Sequence, residues 1–269
     1  MNPQLERRIA QIASDRESGA SEIVPAVIAV LREAQAAGED LPAVCRALRR
    51  AQPSMAPVWN ATQAALNGQL DRFAEQIRRA PDALARIAVE TLEIGMPPGA
   101  ALRCVTLSYS STVAQVLERL VRRRPVSVAC SEGRPALEGR RLAARLAAAG
   151  LTVAFYTDAA IATALERADV VLVGADAVAA HWFINKSGTL MLAAAAMRQG
   201  VPVFALAGRE KFVDDETAAQ MPLRSGPPAE VWDAGRPGLV VENPYFERVP
   251  LELTTGVLTD AGLIPVGEP

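Results

Sequence analysis

The alternation of two kinds of segment along residues 102–206 constrains the fold more than any other feature of this sequence. Short runs rich in Val, Leu and Ala, which suit buried strands, alternate with amphipathic runs rich in Ala, Leu and Arg. Strand–helix–strand units build parallel sheets through right-handed crossovers. The sequence therefore predicts an α/β fold, a mostly parallel sheet with helices on both faces. The predicted strands are 102–107, 125–130, 151–156, 169–173 and 201–206, and the predicted helices are 111–123, 137–149, 158–167 and 187–199.

The first third of the chain lacks this alternation and is predicted to be entirely helical. Apolar residues recur there at helical spacing, beginning with Leu5, Ile9 and Ile12. The segment GMPPG at 95–99 breaks the pattern and is the best domain boundary. We expect a helical domain at 1–98 and a sheet domain at 99–269. Within the first, helical runs are predicted at about 41–50, 57–78 and 82–94, with breaks that include Gly68 and Pro81.

Composition excludes several classes of function. The 28 basic and 30 acidic residues leave a net charge of −2, so no overall field attracts nucleic acid or an anionic membrane. The three cysteines are widely spaced, which supports neither a disulfide framework nor a metal site. The start has no hydrophobic signal region and the chain no long apolar stretch, so we expect a cytoplasmic protein without a membrane span. No cofactor is expected.

Ligands bind beyond the carboxyl ends of the strands in open parallel sheets, so polar residues at these ends are the first candidates for a site. Ser108 follows the first strand, in a serine-rich run at a predicted helix start that could hold an anion. Glu132 and Arg134 follow the second strand, where a surface ion pair is an equally weighted alternative. Asp158 follows the third strand and fits a helix cap better than a catalyst.

The later strand ends carry the strongest candidates. Asp176 lies just past an apolar strand, where partial burial would raise its pKa for acid/base work, although helix capping is the alternative. Asn185 and Lys186 come at the predicted start of the next helix, in a segment that resembles a seat for phosphate. Lys211 follows the fifth strand. Lys186 and Lys211 are the only lysines among the basic residues, and both fall on the ligand edge.

Nucleotide hydrolysis and serine hydrolysis have little support. The GxxxxGK and GxGxxG fingerprints of phosphate-binding loops are absent. The single histidine, His181, lies in a loop, and no GxSxG elbow supplies a nucleophile.

A set of short motifs resembles one known superfamily. It joins the regulatory subunits (alpha, beta and delta) of eukaryotic translation initiation factor 2B with methylthioribose-1-phosphate isomerase and ribose-1,5-bisphosphate isomerase. The resemblance covers roughly 102–262. It implies a Rossmann-like, doubly wound sheet domain that lies beneath the helical domain and binds a phosphorylated sugar or nucleotide. It also implies a homodimer formed through the C-terminal domains. The motifs are SEGRP at 131–135, EGRRL at 138–142, YTDA at 156–159, GADAV at 174–178, NKSGT at 185–189, KF at 211–212 and ENPYFE at 242–247.

The resemblance also implies roles for residues. Asp176 matches the acid/base carboxylate of the isomerases, and Asn185, Lys186 and Lys211 match groups that contact substrate. Glu132 and Arg134 match an E-x-R-P turn whose arginine would reach a phosphate.

Two departures from the isomerase pattern bear on catalysis. Ser108 occupies the place of a cysteine, and a hydroxyl has a far higher pKa than a thiol. The isomerases' Arg-Gly-Ala phosphate clamp is reduced to Gly19 and Ala20, with Arg16 nearby. Two hypotheses stay open: an aldose–ketose isomerase of a phosphorylated ribose-type sugar, favoured by Asp176, and a non-catalytic sensor of a sugar phosphate or nucleotide, favoured by Ser108.

Overall fold

A computed structural model describes residues 1–15, 18–94, 96–233 and 235–266. Arg16 and Gly95, both considered above, lie outside the described residues. The first part of the chain forms helices, as predicted. They are α1 (Pro3–Ser14), α2 (Ala20–Ala36), α3 (Leu41–Ala51), α4 (Ala56–Leu66) and α5 (Leu70–Glu93).

The helix boundaries around Gly68 and Pro81 differ from the prediction. The expected run 57–78 is divided because Gly68, at φ +68°, takes the left-handed backbone conformation that ends α4. Helix α5 instead continues through Pro81. The second half of α5 is buried in the core beneath the sheet, where Leu84 and Ala88 pack with residues such as Leu117. This burial offsets the hydrogen bond that a proline removes from a helix.

A seven-stranded sheet forms the second part, in the order β10-β9-β7-β4-β1-β2-β3. All neighbours are parallel except β10, which runs antiparallel to β9, so the predicted mostly parallel sheet is confirmed. Strand β1 lies between β2 and β4, so the direction of winding reverses there, and this reversal is where open sheets bind ligands. The strands are β1 (Leu102–Thr106), β2 (Val126–Ser131), β3 (Thr152–Tyr156), β4 (Val170–Gly174), β7 (Val203–Leu206), β9 (Gly256–Thr259) and β10 (Gly262–Pro265).

A second, three-stranded antiparallel sheet was not predicted. Its order is β5-β6-β8, with β5 at Ala177–Val178, β6 at Trp182–Lys186 and β8 at Phe246–Pro250. Asn185 and Lys186 therefore end a strand, and the expectation that they begin a helix is wrong. The strand pairs with β8 across the intervening residues 187–245, a long-range pairing that local periodicity does not report.

The helices around the sheet are α6 (Ser111–Leu120), α7 (Glu138–Ala148), α8 (Thr189–Gln199) and the short α9 (Asp215–Gln220). The helix expected at 158–167 is a 3₁₀ helix. The capping role expected for Asp158 is also wrong, because its carboxylate accepts hydrogen bonds from the backbone N–H groups of Gly133 and Arg134, at 2.9 and 2.7 Å. Within the described ranges, no helix combines the length and the apolar character that crossing a membrane requires.

Candidate functional site

A cavity of about 80 Å³ lies at the carboxyl ends of β1 and β4, where the winding of the sheet reverses. Both parts of the chain contribute to its wall. Ser18, Gly19 and Met55 come from the helical part, whereas the remaining lining residues belong to strands of the two sheets, to the segments beside them or to the start of α7. Among the predicted site residues, the cavity brings together Gly19, Ser108, Asp176, Asn185 and Lys186.

Asp176 occupies the loop between β4 and β5. Its backbone is fixed on both sides, because its N–H donates to the Ile184 carbonyl at 2.8 Å and its own carbonyl accepts from the Ala56 N–H at 2.9 Å. Burial raises the pKa of the Asp176 carboxyl to about 6, against the opposing influence of the Lys211 and Lys186 ammonium groups. A carboxyl with this pKa exists in both protonation states near neutrality, which suits it to give and take protons.

Lys186 ends β6 and is held by a carboxylate that sequence analysis did not select. Its Nζ lies 2.7 Å from Glu138 Oε1 and 5.2 Å from the centre of the Tyr245 ring. The same Oε1 accepts a hydrogen bond from Ser108 Oγ at 2.8 Å. The second carboxylate oxygen of Glu138 is buried and has no hydrogen-bond partner in the described part of the chain. Glu138, Lys186 and Ser108 thus form one hydrogen-bonded cluster.

Two glycines explain how Glu138 reaches the cavity. A Cβ atom at Gly139 would lie 1.8 Å from the Ser131 carbonyl oxygen, so only glycine allows α7 to start against the end of β2. A Cβ at Gly133 would lie 3.1 Å from the Glu138 carboxyl carbon. The motif that contains Glu138 was visible in the sequence, but nothing in its spacing indicated that this side chain turns toward Lys186.

Ser108 sits in an uncommon backbone conformation. Its φ of +61° lies in the left-handed region, which non-glycine residues seldom occupy. The residue is buried and its hydroxyl donates to Glu138. The side chain at the position of the isomerases' cysteine is therefore engaged with a carboxylate.

Lys211 lies near Asp176 but outside the lining of this cavity. It is buried at the end of a 3₁₀ turn, Arg209–Lys211, and its Nζ donates to the Ala175 carbonyl at 2.6 Å. Lys211 and Ala20 line a separate cleft of about 530 Å³ between α2, α5 and this turn. The second lysine therefore approaches Asp176 from behind the cavity wall.

The predicted phosphate seat at the start of α8 is already filled. Glu247 Oε1 accepts hydrogen bonds from the N–H groups of Gly188 and Leu190, both at 2.8 Å. A carboxylate thus satisfies the backbone donors that would otherwise favour an anion. Asn185 is buried, and its Nδ2 donates to Thr189 Oγ1 at 2.9 Å.

Glu132 and Arg134 lie outside the lining of this cavity. Arg134 is exposed, and its backbone N–H is bound by Asp158. A contact between Arg134 and a phosphate stays a prediction.

Comparisons with known proteins agree with one another. A sequence model of the Initiation factor 2 subunit family matches residues 4–266. A methylthioribose-1-phosphate isomerase from Chloroflexus aurantiacus is 34% identical over 170 residues, which cover 59% of this chain and 49% of that protein. A protein from Pyrococcus furiosus described as a putative translation initiation factor eIF-2B subunit 2-like is 28% identical over 222 residues, covering 79% of this chain and 76% of that protein.

The fold is also that of a solved structure. The crystal structure of a Pyrococcus horikoshii OT3 translation initiation factor eIF-2B superposes with a TM-score of 0.82 at 21% identity, covering 98% of both chains. By contrast, the chain spans about half the length of the curated isomerases it matches.

Proposed function

Because the chain belongs to the Initiation factor 2 subunit family, we propose that its cavity binds a phosphorylated ribose-type sugar and that Asp176 moves a proton on it during conversion of an aldose phosphate to a ketose phosphate. One observation carries this proposal. Asp176, whose carboxyl has its pKa raised to about 6, lines the same cavity as the buried Lys186, and the buried Lys211 ammonium acts on that carboxyl from outside the cavity lining. Relatives that are methylthioribose-1-phosphate isomerases support the class of substrate.

The proton balance of such a conversion needs a single group of this kind. When a furanose 1-phosphate becomes a ketose 1-phosphate, the hydrogen on C2 moves to C1 and the 2-hydroxyl proton is lost as the ring oxygen gains one. Protonated Asp176 would supply the proton to the ring oxygen, and the resulting carboxylate would accept the proton of the 2-hydroxyl. A pKa near 6 allows both steps at neutral pH.

Binding requires the cavity to enlarge. Its volume of about 80 Å³ is well below the roughly 300 Å³ at which ligand pockets begin. Lys186 must also exchange the Glu138 carboxylate for a phosphate. The Tyr109 ring stands at the rim, with the Arg141 guanidinium 3.9 Å from its centre, and Arg141 pairs with Glu22 of α2. We propose that this contact between α7 and α2 opens to admit the sugar.

Assembly and location stay proposals. We infer a homodimer formed through the C-terminal part of the chain and a cytoplasmic protein that does not bind nucleic acid directly. A net charge of −2 supports the last point.

A non-catalytic sensor of a sugar phosphate or nucleotide is the second candidate. The observation that favours it is Ser108, whose hydroxyl donates to Glu138 and offers no ionisable partner to Asp176. Such a protein would bind the same ligand and release it unchanged.

Carbon NMR of ribose 1-phosphate incubated with the protein separates these outcomes. We expect the ketose 1-phosphate to form with the native chain and not with Asp176→Asn, while calorimetry shows that the variant still binds the sugar. Asp215→Asn, at an exposed position outside the cavity, is the matched control and should convert it normally. Binding without conversion would support the sensor. Absence of binding to ribose 1-phosphate would contradict the isomerase, and absence of binding to AMP as well would contradict the sensor.

A further inference from the structure

We propose that Asn60 of helix α4 is a positioning residue that holds the Lys211 turn so that the Lys211 ammonium lies beside Asp176. The helical part of the chain would then set the distance between two charged groups of the sheet part. The role of this distance in catalysis or binding rests on the proposed function above. The positioning of Lys211 by Asn60 does not depend on it.

The contacts of Asn60 bracket Lys211. Its Nδ2 donates to the carbonyl of Glu210 at 2.7 Å and to the carbonyl of Phe212 at 3.0 Å, the residues immediately before and after the lysine. A primary amide nitrogen carries two hydrogens and can donate both. One side chain therefore fixes the backbone on both sides of Lys211.

The lysine needs such support because its turn is short. The 3₁₀ turn closes through the N–H of Lys211 to the Gly208 carbonyl at 3.0 Å and the N–H of Phe212 to the Arg209 carbonyl at 3.2 Å. Lys211 Nζ then reaches the Ala175 carbonyl, one residue before Asp176. Asn60 at the backbone and Ala175 at the ammonium thus hold the two ends of the same residue.

Helix α4 also bonds the other loop of the site. The N–H of Ala56 donates to the Asp176 carbonyl at 2.9 Å. Positions four residues apart in a helix lie on one face, so Ala56 and Asn60 present one surface to the two loops. Ala56 and Trp59 pack in a cluster with Ala177 and Ile184, and this packing fixes the helix against the sheet part of the chain. A single rigid helix therefore spans the loops that carry Asp176 and Lys211.

Chemical labelling tests this directly, because the chain has only two lysines. Limited acetylation of the ligand-free protein, followed by mass spectrometry, gives a separate rate for each. In Asn60→Asp, a carboxylate oxygen would face two carbonyls, and in Asn60→Ala both hydrogen bonds are lost. We expect the acetylation rate of Lys211 to rise about tenfold or more in both variants, because two hydrogen bonds that hold its backbone are lost. The acetylation rate of Lys186 should not change. Asn67→Asp, at the exposed C-cap of the same helix, should change neither rate.

Two outcomes overturn the proposal. Unchanged labelling of Lys211 in Asn60→Ala would show that the 3₁₀ turn keeps its conformation without the hydrogen bonds from Asn60. Equal rises at Lys186 and Lys211 would show that Asn60 only supports the fold.

A double-mutant cycle with ribose 1-phosphate links positioning to binding. Asn60→Ala should weaken affinity in the native background and have no further effect in a Lys211→Met background, because both changes act through one ammonium group. Additive losses would contradict the proposal. If no variant binds the sugar, the proposed function fails while the labelling result still decides the role of Asn60.

Discussion

The two lysines of the chain both act on Asp176 but lie in different surroundings, since Lys186 lines the cavity and Lys211 does not. Lys186 is paired with a carboxylate, and the side chains of Lys186 and Glu138 are only 9% and 13% exposed. Lys211 is equally buried, but its ammonium donates to a neutral backbone carbonyl. One ammonium group is therefore paired with a carboxylate at the cavity, whereas the other donates to a backbone carbonyl and interacts electrostatically with the Asp176 and Glu210 carboxyls.

The difference shows how two similar residues can do different work. A buried charge that loses its partner is strongly destabilising, so Lys186 and Glu138 depend on one another. Lys186 thus belongs to the closed cavity, and under the proposed function Lys211 supplies positive charge near Asp176 that favours a bound phosphate.

The largest expected effect is on stability. Lys186→Met would leave the Glu138 carboxylate buried and unpaired, so we expect it to lower the free energy of unfolding by about 3–5 kcal/mol. Lys211→Met leaves one carbonyl without a partner, and a loss of about 1–3 kcal/mol is expected. Urea denaturation measures both. The double variant Lys186→Met/Glu138→Gln should recover most of the loss, and equal losses in the two single variants would break the comparison.

A second expected effect is on the pH dependence of stability. Because burial raises the pKa of Asp176 to about 6, the folded state holds a proton that the unfolded state releases from about pH 4 upward. The free energy of unfolding therefore falls as pH rises through this window, by up to about 3 kcal/mol for a shift of about two units. Asp176→Asn removes this fall.

Urea denaturation at about pH 4 and about pH 7 measures this difference. The asparagine variant should gain stability relative to the native chain at the higher pH. If the free energy of unfolding changed equally with pH in the two proteins, the Asp176 carboxyl would titrate as it does in water. It would then not be a desolvated acid near the lysines.

The smallest of these three effects is on the affinity for ribose 1-phosphate. Glu138→Gln removes the negative charge that holds Lys186 and should strengthen binding of ribose 1-phosphate by about tenfold, or about 1.4 kcal/mol. Calorimetric titration measures it, with Glu216→Gln, at an exposed position outside the cavity lining, as the control. Weaker binding in Glu138→Gln would mean that this carboxylate contacts the sugar.

Sequence periodicity predicted the part of the site that follows the central strands. Asp176 and Ser108 come directly after β4 and β1, two apolar strands whose parallel pairing brings their ends to one edge. Asn185 and Lys186 were selected as well, although on the wrong element.

The rest could not be predicted because it depends on contacts distant in sequence. Glu138 turns toward Lys186 only because two glycines let α7 begin against β2. Glu247 fills the start of α8 only because β8 pairs with β6. Strand β9 pairs with β7, which lies far earlier in the chain, and residues 260–261 then turn the chain back so that β10 pairs with β9.

Calorimetric titration of ribose 1-phosphate into the native chain, Lys211→Met and Arg209→Met tests the central claim most directly. Arg209 is the exposed neighbour of Lys211 and pairs with Asp260, so it is a matched loss of positive charge. We predict that Lys211→Met weakens binding by about ten- to a hundredfold, the value of a charged hydrogen bond to phosphate, and that Arg209→Met leaves it unchanged. Equal affinity in all three proteins would contradict the claim that the Lys211 ammonium, which donates to the Ala175 carbonyl, helps to hold the phosphate beside Asp176.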